Sequence, residues 1–232
     1  MLANYIASIL WPARCAGCNA FVREGVAFCP ECAVSIVSLD RCCPGCALPV
    51  SDEGPCPGCL RQPLTPARVT AALAYGGALT QALLRWKHGG CRHVVRSLAG
   101  YVAPMLVSAE EEGAEVACPV PLHPRRLAQR GFNQALDLLR AARGRWSRLE
   151  ISCDALARTI NTPSLGHGTP AERRRLLAKA FTVGRPQRVV GRHVLLVDDV
   201  MTTGATLAEC ARELLTAGAR EVSAVALARV LR

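Results

Sequence analysis

Aromatic side chains are scarce, with Trp, Tyr and Phe together making up 4% of the 232 residues. Proteins that track single-stranded nucleic acid by stacking its bases need many such rings, so an extended stacking groove is not expected here. Long apolar runs are missing too, and none approaches the about 20 residues of a membrane-spanning helix. The short apolar stretch Tyr5, Ile6, Ala7, Ser8, Ile9, Leu10 and Trp11 is not preceded by Lys or Arg, unlike the charged start of a secretory leader. It is expected to be a short amphipathic lead-in that packs on the body. Acidic residues are nearly absent between positions 120 and 192, where fifteen Lys or Arg face four acids for a net +11. That stretch more than accounts for the net charge of +10 and suits a polyanionic ligand, either nucleotide phosphates or a nucleic-acid backbone. With half of the residues hydrophobic and a fifth charged, the rest of the chain can build a folded core.

Cysteine is abundant, and nine of the thirteen fall in the first 60 residues. Eight of these form four CxxC pairs: Cys15 with Cys18, Cys29 with Cys32, Cys43 with Cys46, and Cys56 with Cys59. A CxxC turn converges two thiolates on one ion, and two turns complete the closed tetrahedral set of a structural zinc site. Gly or Pro inside or beside each pair fits the tight knuckle backbone. Two zinc ions are therefore expected. Consecutive pairing makes two ribbons, with ten residues between the pairs of the first and nine between those of the second. Spacing alone also permits a cross-braced arrangement, and Cys42 is able to replace Cys43. Thiolate clusters of this kind belong to a reducing compartment, so a cytoplasmic protein is expected. Residues 1–60 carry three basic residues against five acids, which suits a structural or protein-facing role better than a grip on nucleic acid.

Downstream of a Pro-rich linker, strands alternate with helices. Strands are expected over 68–75, 116–121, 193–197 and 221–230, and helices over 78–86, 92–109, 132–143 and 205–217. Thr169, Pro170, Ala171 and Glu172 form a capping box opening another helix that runs through Lys179. The alternation indicates a parallel α/β sheet flanked by helices. Residues 1–62 are read as the cysteine module and 63–232 as the α/β domain. Loss of one CxxC pair is expected to unfold the module and spare the domain.

Val194, Leu195, Leu196 and Val197 make a buried-type strand that stops at Asp198 and Asp199. Val200 and Met201 follow, then Thr202, Thr203, Gly204, Ala205 and Thr206 at the start of a helix. Small residues and hydroxyls at a helix N-terminus leave N–H and OH groups to cradle a phosphate dianion. Carboxylates at a strand's carboxyl end, where ligands bind in open α/β sheets, need a different partner, such as vicinal hydroxyls. One loop would then grip a phosphate and two ring hydroxyls, the features of ribose 5-phosphate.

This stretch resembles the 5-phosphoribosyl 1-pyrophosphate (PRPP) signature of type I phosphoribosyltransferases. The resemblance extends over nearly the whole chain. The cysteine knuckles, Leu84-Arg85-Trp86-Lys87-His88-Gly89, Pro119-Val120-Pro121-Leu122-His123-Pro124-Arg125-Arg126 and Gln129-Arg130-Gly131-Phe132-Asn133-Gln134 together look like the ComF family. Its members are competence-associated, phosphoribosyltransferase-like bacterial proteins with an N-terminal double zinc ribbon. The resemblance implies that residues 198–206 bind PRPP with Mg²⁺, with Asp198 and Asp199 nearest the reacting carbon. It also implies that Leu122, His123, Arg125, Arg126 and Arg130 meet the pyrophosphate, Arg125 being favoured by its place just after a strand end. Arg140, Arg143, Arg145 and Arg148 are expected to face outward. A mobile loop over 162–169 would close the site. The family's Thr-x-x-Gln and Arg-x-x-Asn are incomplete, since no Gln follows Thr162 and Leu176 stands where Asn is expected, while Arg158, Thr159, Arg173 and Arg174 are retained. Binding of PRPP is thus better supported than its turnover. The alternative is a non-catalytic PRPP-fold protein that handles single-stranded DNA alongside DNA-uptake proteins.

Overall fold

A computed structural model of the protein describes residues 12–89, 93–146, 148–162 and 175–231. The expected lead-in at 1–11, the loop residues 163–168, the capping box at 169–172, and Arg173 and Arg174 lie outside the described residues.

Two knuckles with the same backbone pattern open the chain. In each, the N–H of the first cysteine bonds a carbonyl five residues on (Cys15 to Ala20 and Cys43 to Leu48, both 2.8 Å). A left-handed residue closes each turn, Asn19 at φ 71° and Ala47 at φ 54°. The flanking bridges match as well, Arg14 with Phe21 and Cys42 with Pro49. Cys42 therefore occupies the bridge position that Arg14 fills in the first ribbon, and Cys43 is the cluster residue. Each second pair starts a short helical turn, α1 (Pro30–Ala33) and α2 (Pro57–Arg61). Proline follows the extended N-cap cysteine in both, the position where its missing N–H costs nothing.

The sulfur atoms of Cys15, Cys18, Cys29 and Cys32 gather within 4.8 Å of one another, and so do those of Cys43, Cys46, Cys56 and Cys59. Consecutive pairing is thus the arrangement adopted. Cys18 and Cys29 sulfurs stand 3.6 Å apart, and Cys46 and Cys56 sulfurs 3.7 Å. A tetrahedral zinc with Zn–S bonds of about 2.3 Å sets sulfurs about 3.8 Å apart, and a disulfide would need about 2.05 Å. Burial raises the Cys15 thiol, but the N–H groups of Cys29, Cys18 and Gly17 outweigh it and bring it down to about 6. Burial and the neighbouring thiols push Cys32 up to about 12. Four such sulfurs ionise together only around a divalent cation, so the donor set fits zinc.

The body follows as β1 (Arg68–Ala74), α3 (Gly77–Gly89), α4 (His93–Glu111), β2 (Val116–Pro119), α5 (Pro124–Arg130), α6 (Gln134–Ala142), β3 (Glu150–Ile151), β4 (Leu156–Arg158), β5 (Phe181–Val183), β6 (His193–Met201), α7 (Ala205–Thr216) and β7 (Glu221–Arg229). Among the described residues the main sheet has five parallel strands in the order β1-β7-β6-β2-β3, while β4 and β5 form a separate antiparallel pair. The expected strands are present, as are the helices expected over 78–86, 92–109, 132–143 and 205–217. β6 runs farther than expected, pairing through Asp198 with Ala226 and on to Met201 with Arg229, so the acidic pair belongs to the strand. Of the helix expected to run through Lys179, residues 175–177 are helical and a turn at 178–179 ends it, with Lys179 at φ 60°.

Alternation along β6 divides the core. Leu195 and Val197 pack with Leu83, Trp86 and Leu98 of α3 and α4 and with Leu138 and Leu139 of α6. Val194 and Leu196 pack on the other face with Leu207, Cys210 and Leu214 of α7 and with Phe181 of β5. The knuckles join these same cores. Cys15, Ala16, Phe28 and Cys29 lie in the first cluster, and Cys43, Cys46, Ala47 and Cys59 in the second. The segment between ribbons also bonds the edge of β1, with Leu39 N–H to Ala72 carbonyl at 3.0 Å and Ala74 N–H to Val37 carbonyl at 2.8 Å. Shared cores replace the expectation that the module unfolds by itself. Metal analysis of freshly purified, reduced protein should give two zinc ions per chain. Zinc removal should then lower the melting temperature of the whole body, read by the far-UV signal of its helices. A body transition unchanged by chelation would show the ribbons to be independent.

Candidate functional site

β2 and β6 are neighbours, with Pro119 opposite Val197, yet the helices that follow them pack on opposite faces of the sheet. This is a topological switch point, and the crevice outside the carboxyl ends of such a strand pair is where open α/β sheets receive ligands. Asp198 and Asp199 stand at this crevice on β6, and residues 120–126 stand across from them after β2. The Val120 N–H donates to the Val197 carbonyl at 2.9 Å, just before the acids.

Adjacent strand residues point to opposite faces, and the two carboxylates meet different surroundings. Asp199 lies on the α3 side, where the Lys87 ammonium reaches its Oδ2 at 2.5 Å and the Asp199 side chain is 15% exposed. Burial works to raise its pKa, but Lys87 and the hydrogen bond from that ammonium outweigh it and hold Asp199 below the usual carboxylate value. Asp198 lies on the α7 side and accepts the Asp199 backbone N–H at 2.8 Å. Burial, then the Asp199 charge, push it well above the usual value. The pair thus carries one firm negative charge and one carboxyl held toward its neutral form.

The cations around the pair are fixed by packing. Trp86, fully buried next to Lys87 in α3, stacks on Phe132 with ring centroids 6.3 Å apart. Gly131 ends α5 in the left-handed conformation at φ 79°, a common helix stop. Asn133 then caps α6 by accepting the Leu136 N–H and donates its amide to the Val120 carbonyl at 2.9 Å. Arg130 is held by buried Gln134 at 2.8 Å. Burial pulls the Arg130 guanidinium below its ordinary value, Asp199 opposes this and Arg126 adds to it. Arg126 and Arg130 are four residues apart on α5 and share its side. Arg158, at the end of β4, feels Asp198 and Arg126 and bonds the Thr162 hydroxyl. Its Nε–H has no acceptor among the described residues.

The phosphate-cradle sequence sits at the start of α7. Gly204 is its N-cap at φ 79°, and a Cβ there would come within 2.6 Å of Leu64 and 2.7 Å of Met201. Only glycine fits the turn against the linker residue beneath it. Thr202, Thr203 and Thr206 are half-buried, and Ala205 is buried. Leu122 and His123 are half-buried, His123 capping α5 by accepting the Arg125 N–H at 3.2 Å. Arg125 itself is exposed. Of the arginines expected at the pyrophosphate, Arg130, on an unexpected helix, is the one that interacts with Asp199, and Arg126 interacts with Arg130 and Arg158. Lys87 and the buried Arg229, which donates to the Thr202 carbonyl, were not foreseen as site residues. Lys87 is one of two lysines in the chain, and Arg229 ends a mostly apolar strand.

The fold and site define a type I phosphoribosyltransferase-like α/β domain joined to a double zinc ribbon. Sequence models agree: the double zinc ribbon domain matches residues 6–60 and the phosphoribosyl transferase domain residues 168–232. The chain is similar to the DNA utilization protein YhgH of Escherichia coli O157:H7, 33% identical over 208 residues that cover 88% of this chain and 90% of that protein. It is also similar to competence protein F of Haemophilus influenzae, 36% identical over half of each chain, and to competence protein ComFC of Bacillus subtilis, 28% identical over 81% of this chain and 77% of that one. The chain belongs to the ComF family. Solved structures include a Staphylococcus aureus hypoxanthine phosphoribosyltransferase, 14% identical at a TM-score of 0.36 and covering 58% of this chain and 62% of that one, a likeness too slight to carry argument.

The asymmetry of the acidic pair has a pH signature. Asp199, depressed, contributes stability that is present above its unfolded pKa of about 3.9 and lost as pH falls through the folded value. Asp198, raised, contributes stability that is full below that unfolded pKa and lost as pH rises toward the folded value. Asp198→Asn should therefore raise the melting temperature at pH 7 and leave it near wild type at pH 4. Asp199→Asn should lower it at pH 7 by stranding Lys87. An Asp198→Asn protein less stable than wild type at pH 7 would contradict this assignment.

Proposed function

We propose that the protein binds PRPP together with Mg²⁺ and that its chemistry is transfer or recognition of the phosphoribosyl group. One observation carries the reading: an acidic pair at the switch point runs directly into Thr-Thr-Gly-Ala-Thr at a helix start, with cations on both sides. The loop from Val200 to Thr206 offers N–H and OH donors to the 5-phosphate, and Asp198 and Asp199 accept from the ribose hydroxyls. Residues Leu122, His123, Arg125, Arg126 and Arg130 form the pyrophosphate side, where guanidinium forks suit phosphate oxygens. Lys87 turns from Asp199 toward the incoming anion, leaving that carboxylate for the sugar.

Carboxylate and phosphate oxygens are the donors that Mg²⁺ takes, and when bound with the ligand it would neutralise the pyrophosphate charge. In transfer, the bond between the anomeric carbon and the pyrophosphate oxygen breaks, and both electrons leave with pyrophosphate. The charged Asp199 then faces a positive ribose ring with Asp198 beside it, and Arg126 and Arg130 face the departing anion. Arg158 has a donor to spare for the leaving group or for an acceptor. A cytoplasmic location is supported by eight thiols arranged as zinc ligands, which need reducing surroundings.

PRPP with Mg²⁺ should raise the melting temperature of the wild-type protein in proportion to occupancy. The double variant Asp198→Ala, Asp199→Ala should lose that shift. An equal shift in the variant would remove the acidic pair from ribose binding, and no shift in wild type would remove PRPP.

A second reading, a role on single-stranded DNA, is favoured by one observation: Arg140, Arg143, Arg145 and Arg148 at the end of α6 are all exposed. The names of the relatives, DNA utilization and competence proteins, support it. Changing these four arginines to Ala should lower the salt slope of single-strand binding by about 0.7 for each phosphate that is no longer neutralised. An unchanged slope would take the DNA track off this surface.

A further inference from the structure

Arg229 is the last residue of β7 and 5% exposed. Its Nε donates to the carbonyl of Cys46, in the second thiolate cluster, at 2.8 Å. Its Nη1 donates to the Thr202 carbonyl, in the phosphate-cradle loop, and to the Val230 carbonyl at 2.7 Å. One guanidinium thus ties a metal knuckle to the loop.

Both ends of the tie make further backbone hydrogen bonds. The knuckle is also fixed through Pro44, whose carbonyl accepts the Val69 N–H at 2.7 Å. Arg229 is held opposite Met201 in the β6–β7 ladder, and the Val230 N–H donates to the Met201 carbonyl at 2.9 Å. In a planar trans peptide the carbonyl and the next N–H point in opposite directions. Holding the Thr202 carbonyl on Arg229 therefore turns the Thr203 N–H away from the arginine, on the side of the loop left for a ligand.

We infer that Arg229 is a positioning residue for the phosphoribosyl loop, and that through it the zinc of the second cluster and the phosphoribosyl ligand stabilise one another. The inference rests on the PRPP reading above. Metal bound by Cys43, Cys46, Cys56 and Cys59 fixes the Cys46 carbonyl, hence the guanidinium, hence the Thr202 peptide. Linkage is reciprocal, so ligand on the loop must strengthen metal retention by the same factor. The first cluster is tied differently, through Arg85 of α3 to the Ala16 and Gly17 carbonyls at 3.2 and 2.9 Å, and has no such bond to the loop among the described residues. The coupling therefore singles out one zinc of two.

The test is zinc release from the full-length, two-zinc protein to a strong zinc-selective chelator, with Mg²⁺ alone or with Mg²⁺ and PRPP, while calorimetry records PRPP binding. PRPP should slow release of one equivalent at least about fivefold, the low end of typical coupling between sites, and leave the other equivalent unchanged. Arg229→Lys keeps a charge but cannot fork to two carbonyls. It should hold two zinc ions, bind PRPP more weakly and show no protection at saturating PRPP. PRPP heat without slower zinc release, equal slowing of both equivalents, or full protection in Arg229→Lys each overturns the coupling alone. Absence of any binding heat in wild type overturns the PRPP reading and the coupling with it. Should Arg229→Lys fail to fold, the wild-type comparison decides.

Discussion

Two neighbouring carboxylates at the end of one buried strand cannot share a counter-charge. Strand geometry sends Asp198 and Asp199 to opposite faces of the sheet, and a buried carboxylate is costly unless it is paired or neutral. On one face Lys87 answers Asp199; on the other Asp198 stays toward its neutral form. Lys87 can do so only if α3 is held at the right height and rotation. Trp86 against Phe132 sets the rotation. Ser35 caps the helix start from the ribbon, accepting the Ala78 N–H at 3.0 Å. Arg85, on the same helix, reaches back to the first knuckle and to Asn19 at 2.7 Å. The first ribbon thereby places α3 and meets the site only through the long, movable side chain of Lys87, whereas the second bonds the anchor of the Thr202 loop directly.

The ribbons follow from the same constraint. A helix end and a strand end that carry site residues need partners that do not breathe, and small knuckles pinned by a metal supply them within few residues. The first knuckle approaches α3 so closely that a Cβ on Gly17 would meet Ala78 at 2.9 Å. The second lies on β1 and on Arg229. Neither is spare material hung on the domain, which also explains why the ribbons have no need of the basic surface that a nucleic-acid grip requires.

Legibility in the sequence followed the range of the interactions. Four CxxC pairs declare their ligands locally, and the alternation of strands and helices declares a parallel sheet. The segment expected to cradle a phosphate is likewise contiguous, so its placement at the start of α7 was readable. Spacing could not choose between consecutive and cross-braced clusters, because that choice depends on which knuckles face one another in space. The helix α5 was hidden because proline at Pro124 and glycine at Gly131 look like loop punctuation, although one is a favoured first residue and the other a favoured stop. The β4–β5 pair was hidden because its strands are three residues each, with their partners more than twenty residues apart. Lys87 and Arg229 stand far in sequence from Asp199 and Thr202. A single lysine or arginine at the end of an apolar element was their only mark.

Those two long-range residues bear on what the protein does. A cradle built only from local sequence would bind phosphate as any capped helix start does, weakly and without regard to the sugar. In the proposed function Lys87 makes the site answer to charge, since its ion pair with Asp199 would open to hydroxyls only when an anion offers Lys87 a better partner. In the same proposal Arg229 makes it answer to shape, since the Thr202 peptide, held by Arg229, would need no reordering when ligand arrives. Ribose hydroxyls, an anion and a phosphate at fixed spacing satisfy all three conditions together, and a lone phosphate or a nucleic-acid backbone satisfies only the last. The exposed arginines beyond α6 impose no such requirement. In the second reading the DNA track lies at the far end of α6 from Asn133 and Gln134, which hold Val120 and Arg130, so substitutions there and at the acidic pair should separate the two proposed activities.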